Sequence, residues 1–137
     1  MHILTTASTW LLTPVLSIGR GTTLTFWTRT VSNVIFPDRL QVRLSTNGAS
    51  TDVGSNATSV GDFSTLMLEI NPDQTFTGYP TSWTPFTVTV LTGPQSFSGR
   101  FAFRYFVTNA GPSGTNSDYV GIDSCTVAYT EAAAGTE

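Results

Sequence analysis

The sequence predicts an all-β fold of two packed antiparallel sheets, a β-sandwich or jelly roll. Three observations carry this expectation. Apolar and polar residues alternate with period two along most of the chain, while a 3.6-residue period hardly appears. Clusters of Gly, Pro, Asn and Ser separate the alternating runs, as turns between short strands require. Only 11% of residues are charged, and Thr and Ser are abundant, a composition suited to pleated surfaces. At 137 residues the chain is long enough for one domain with a sizeable core.

The elements follow in order. "WLLTPVLSI" reads as one or two short strands broken at Pro14, because proline donates nothing to a ladder. In "TTLTFWTR", Leu24, Phe26 and Thr28 share one face, and Thr25, Trp27 and Arg29 the other. "RLQVRLS" sets Leu40, Val42 and Leu44 against Arg39, Gln41 and Arg43. "STLMLEI" sets Leu66, Leu68 and Ile70 against Thr65, Met67 and Glu69. "FTVTVL" aligns Phe86, Val88 and Val90. "RFAFRYFV" turns Phe101, Phe103, Tyr105 and Val107 inward, with Arg100, Ala102, Arg104 and Phe106 outward. "YVGIDSCTVAY" closes the domain, and Cys125 reads as a buried small hydrophobe. Seven to nine strands are expected within residues 1–130, and 131–137 read as a tail or linker edge. Trp10 and Trp83 are expected to plug the core or a sheet edge. The longest connection, about 45–62, is too long for an idle loop and is expected to be functional or mobile.

Several function classes fall away. All six basic residues are arginine, the net charge is −3 and no basic patch runs along the chain, which argues against nucleic acid. The single cysteine rules out an internal disulfide and a multi-cysteine zinc site. No run of about 18 apolar residues would insert this domain in a membrane. Hydrolysis needs a nucleophile with a base, or two carboxylates. The one histidine is His2 at the terminus, no Gly-x-Ser-x-Gly elbow occurs, and two of the three glutamates, Glu131 and Glu137, lie in the tail. The expected domain is not an enzyme; a degenerate hydrolase built on Glu69 with Asp62 or Asp123 is the alternative.

"TWLLTPVLSIGRGTTLTFWTR", "FPDRLQVRLSTNG", "GYPTSWTPFTVTV", "GRFAFRYFV" and "SDYVGIDSCTV" follow one another in an order that resembles the cleaved-adhesin domains, also called choice-of-anchor J domains. The resemblance spans about residues 10–128. It implies a two-sheet antiparallel jelly-roll β-sandwich, similar to MAM and carbohydrate-binding modules, in an exported or surface-anchored bacterial protein. It also implies a non-catalytic role in adhesion or recognition of an extracellular glycan or surface protein. No cofactor is required. Some family members bind calcium, which makes Asp123 in "GIDS" the expected metal ligand; the family's usual second acid is Ser124 here. Asp123 capping backbone N–H groups at a strand end is the plainer reading.

The outward faces carry the remaining candidates. Trp27, Arg29, Arg43, Glu69, Arg104 and Phe106, with Met67 beside them, fall opposite core positions. Aromatic rings stack on the apolar faces of sugars, and arginine forks donate to hydroxyls or carboxylates, so these residues are the expected ligand-binding face. The alternative is a decorated sheet in which arginine stems cover apolar surface and Arg104 pairs with Glu69. That version suits a structural spacer holding neighbouring modules apart. The domain is expected to be a monomer, secreted or at the cell surface.

Overall fold

The computed structural model describes residues 5–129. His2, Glu131, Glu137 and the tail expected at 131–137 lie outside them. Eight strands run in order: β1 (Thr5–Leu12), β2 (Leu16–Ile18), β3 (Thr23–Arg29), β4 (Leu40–Ser45), β5 (Thr65–Ile70), β6 (Thr84–Thr89), β7 (Phe97–Ala110) and β8 (Gly121–Ala128). All pairings are antiparallel, and no helix occurs among the described residues. The fold is an all-β jelly-roll sandwich.

The larger sheet has the order β1-β7-β4-β5, with β2 also on β7. The long β7 therefore pairs two strands in series along one edge, Phe97–Gly99 with β2 and Ala102–Ala110 with β1. Pro14 causes the break between them. Thr13 spans it, its N–H donating to the Phe101 carbonyl at 2.9 Å and its Oγ1 accepting the Phe101 N–H at 3.1 Å. The smaller sheet has the order β6-β3-β8.

The inner faces hold the core. Leu24, Phe26 and Val88 from the smaller sheet meet Leu40, Val42, Leu44, Phe101 and Phe103 from the larger. Phe26 and Phe103 meet edge to face, with ring centroids 4.9 Å apart. Fully burying an aromatic or aliphatic side chain is worth about 1.5–3 kcal/mol, so this layer is what holds the sheets together.

Besides one where the start of β1 meets the end of β7, bulges on β5 and β8 upset the expected alternation. Val42 pairs with Leu68 but Arg43 with Leu66, so Met67 is the extra residue on β5. Leu66, expected inside, is 45% exposed. Met67, expected outside, packs against the core beside Leu68. On β8, Thr25 pairs with Thr126 but Trp27 with Asp123, so Ser124 and Cys125 both stand opposite Phe26. Ser124 sits in the left-handed region at φ 54. This irregularity turns Cys125 out to solvent, where a buried residue was expected.

At one end, Asp38 is fully buried. It accepts hydrogen bonds from Thr30 Oγ1 at 2.8 Å, from the Asp118 N–H at 2.7 Å and from the Tyr105 hydroxyl. Burial nevertheless pushes its pKa above the usual carboxylate value. Asn71 Nδ2 donates to the Asp38 carbonyl at 2.8 Å, so the starts of β4 and the loops after β5 and β7 are tied together.

Candidate functional site

The structure divides the expected ligand-binding residues between two sheets. Arg43, Glu69, Arg104 and Phe106 lie on the outer face of the larger sheet, and Trp27 and Arg29 on the outer face of the smaller. The two sets point away from each other across the sandwich, so Trp27, Arg104 and Phe106 line no common groove.

On the larger sheet, Trp10, Arg104, Gln41 and Glu69 form one row of cross-strand partners over β1, β7, β4 and β5. Arg104 is 2% exposed. Its Nε donates to Ser8 Oγ at 3.0 Å, its Nη1 to Gln41 Oε1 at 3.1 Å and its Nη2 to the Ala57 carbonyl at 2.7 Å. The guanidinium carbon stands 3.7 Å from the Phe106 ring centroid and 5.2 Å from that of Trp10. Burial, then repulsion from Arg43 and Arg39, lowers its pKa to about 10, which leaves it charged at neutral pH.

Arg104 and Glu69 make no direct pair; Gln41 connects them, its Nε2 donating to Glu69 Oε2 at 2.6 Å. Arg43 also donates to Gln41 Oε1, at 2.8 Å, and reaches the Phe63 carbonyl at 3.2 Å. Arg39 Nη1 lies 3.9 Å from Glu69 Oε2 and its guanidinium 4.3 Å from the Phe106 centroid.

The 46–64 loop closes over this row. Phe63 is fully buried, with its ring 5.7 Å from that of Trp10, and Ala57 takes the Arg104 bond. Trp10 thus lies beneath a loop on the outer face rather than in the inter-sheet core. Asp62 ties the neck by accepting from Asn47 Nδ2 at 2.8 Å and Ser50 Oγ at 2.6 Å. The loop is the third layer of this side of the molecule, and Arg104 is the side chain that clasps it.

The outer face of the smaller sheet is different. Trp27 is 40% exposed between its partners Pro85 on β6 and Asp123 on β8. Thr25, Thr87 and Thr126 make the next row, with Thr25 Oγ1 and Thr87 Oγ1 2.9 Å apart. On the other side of Trp27, Arg29 pairs with Gly121. Trp83, just before β6, lies across this end. A Cβ on Gly121 would stand 2.9 Å from Trp83 Cη2, so the indole rests on the glycine backbone while 45% exposed. Trp83 therefore does not plug the core; it lies on the edge strand β8, exposed like Trp27. Arg29 borders it, its Nε held by the Thr30 carbonyl at 3.1 Å and its Nη2 by Ser32 Oγ at 3.1 Å. Trp83 was legible only as a tryptophan before a strand; no local pattern said which surface it would cross.

Asp123 is exposed, and one carboxylate oxygen accepts the Ser124 N–H at 2.7 Å. No group of three or more His, Cys, Asp or Glu residues is placed to hold a metal among the described residues. With Ser124 in place of a second acid, these residues alone do not provide the six or more oxygens that calcium takes. What Asp123 does provide is a free acceptor beside an indole.

The fold is a two-sheet antiparallel β-sandwich. In structure the chain is similar to the K1 cleaved adhesin domain of Lys-gingipain from Porphyromonas gingivalis W83, with a TM-score of 0.57 and 22% identity, over 88% of this chain and 63% of that one. The chain thus spans less than two thirds of that domain, and at this identity the likeness concerns the fold. No family model matches the chain, and no curated protein does.

Proposed function

We propose that this domain is a non-catalytic recognition module of an exported or cell-surface bacterial protein, with the bare face of the smaller sheet as its contact surface and a carbohydrate as its ligand. The observation that carries the reading is that two tryptophans are exposed at this sheet, Trp27 on the outer face of β3 and Trp83 across Gly121 of β8. Indole faces stack on the C–H faces of pyranose rings. Asp123, Thr25, Thr87 and Thr126 offer acceptors and donors for ring hydroxyls, and Arg29 a charged donor. A sheet face is rigid, so little ordering cost attends binding. The likeness in fold to a cleaved adhesin domain agrees with a binding role.

A glycan array followed by titration calorimetry tests it. The native domain is expected to bind a glycan class saturably, and Trp27→Ala and Trp83→Ala each to weaken it by about tenfold or more without lowering the melting temperature appreciably. An array without a hit, or binding indifferent to both substitutions, sinks the reading. The spacer alternative is supported by the opposite face, where loop, arginines and Gln41 satisfy one another and leave little to offer a partner.

A further inference from the structure

The mouth of the sandwich between β1 and β8 carries an independent proposal. The smaller sheet has three strands, while the larger has four side by side. β8 pairs only with β3, so the main-chain groups on its other edge have no strand partner among the described residues. An edge of this kind is a ready template for pairing with another chain.

The wall beneath that edge is apolar. A cleft of about 340 Å³ lies between Leu11 and Leu12 of β1 and Ile122 and Cys125 of β8, with Phe103 at its floor. Leu11 is in register with buried Phe103 and so faces inward, yet it is 59% exposed. An inward-facing leucine without cover is what a missing neighbour leaves behind. At the rim stands the Asp123 carboxylate, on the outer face of the same edge.

We propose that this cleft accepts one extended strand of a partner polypeptide, which pairs with the free edge of β8 and completes the smaller sheet. The unpaired main chain selects a strand rather than a helix or a small molecule, since only a strand matches a row of alternating donors and acceptors. The cleft selects aliphatic side chains at alternate positions, directed at Leu11 and Phe103. Asp123 selects a lysine or arginine on the opposite, outward side, as a cross-strand pair. The bulge at Ser124–Cys125 interrupts that row, so pairing is expected on either side of it.

The probe is an acetylated, amidated nine-residue peptide, Thr-Val-Lys-Val-Thr-Val-Lys-Val-Thr, carrying a fluorophore. Anisotropy is expected to show saturable binding below about 1 mM, and amide exchange to slow at Ile122–Val127. N-methylation of alternate peptide bonds is expected to weaken binding by about tenfold or more. Leu11→Glu, at an exposed position, is expected to do the same while keeping the melting temperature of the parent. Absence of saturation overturns the proposal, as does binding that tolerates N-methylation or leaves β8 exchange unchanged. Concentration-dependent dimerisation that protects β8 would assign the edge to a second copy instead. Peptide binding by residues 1–137 that is lost in a longer natural form of the protein would show that the protein covers its own cleft; either result overturns a partner strand. Trp27→Ala and Trp83→Ala are expected to leave peptide binding unchanged, which separates this site from the glycan face.

Discussion

The two outer faces of the sandwich carry similar residue types and do opposite things. Both present arginine, tryptophan and a carboxylate at positions opposite the core. On the larger sheet the 46–64 loop covers them, so each guanidinium nitrogen of Arg104 donates a hydrogen bond within the domain and the aromatics Trp10, Phe63 and Phe106 pack on protein. On the smaller sheet, among the described residues, Trp27, Trp83 and Asp123 remain exposed. Residue chemistry alone therefore does not decide which face stays exposed; coverage does.

The largest effect that would break this comparison comes from the covered face. Arg104→Ala is expected to cost about 3 kcal/mol, because it strands the Ala57 carbonyl and removes the stack on Phe106. Thermal melting measures the loss, and limited proteolysis should then cut within 46–64. A variant that melts like the parent would mean that the loop is not clasped by this residue. Phe63→Ala is expected to act in the same direction by a similar amount, about 3 kcal/mol, and to add less than its full effect to Arg104→Ala, since both open one contact layer.

Substitutions on the bare face should separate stability from binding. Trp27→Ala and Trp83→Ala are expected to change stability by less than about 1 kcal/mol while reducing glycan binding. Gly121→Ala sharpens the point. It leaves both tryptophans in the sequence but pushes a methyl to 2.9 Å from Trp83 Cη2, so it should weaken binding by moving the indole alone. If it binds like the parent, Trp83 is not part of the surface.

A smaller effect is a pH dependence from Asp38. Its folded pKa is raised, so between its ordinary value of 3.8 and the raised value the folded state holds the proton more often than the unfolded chain. Stability from this group is greatest below that window and falls as pH rises through it. Asp62 works with the opposite sign and in a lower window, because Ser50 and Asn47 hold its pKa down; its contribution is lost as pH falls below 3.8. Denaturant melts from pH 3 upward, with Asp38→Asn as comparison, should remove the fall above about pH 4. An unchanged profile would show that Asp38 is not the titrating group. The smallest expected change is in calcium against chelator. With a lone carboxylate at Asp123, the melting temperature should stay the same, and a rise with calcium would revive the metal reading.

Much of the fold was legible because alternation is a local consequence of the pleat. Leu24 and Phe26, Leu40, Val42 and Leu44, and Phe101 and Phe103 all face the core as their spacing implies. Alternation failed where a strand gained one residue. Leu66 and Met67 exchanged faces, and Cys125 came out to solvent, since a bulge shifts parity without any marker in side-chain type. The candidate site was legible only in parts. Trp27 stood out as an outward tryptophan, but its neighbour Trp83 comes from a loop 56 residues later in the chain and reaches Gly121 on a third segment.

The sequence by itself determined the all-β class, most of the inward residues and the outward position of Arg104, because each depends on neighbours two residues away or on composition. Only the tertiary structure decided that Arg104 is a buried clasp and Trp27 an open surface. That outcome depends on which sheet each strand joins and where the 46–64 loop lands, which are long-range pairings that no local pattern encodes.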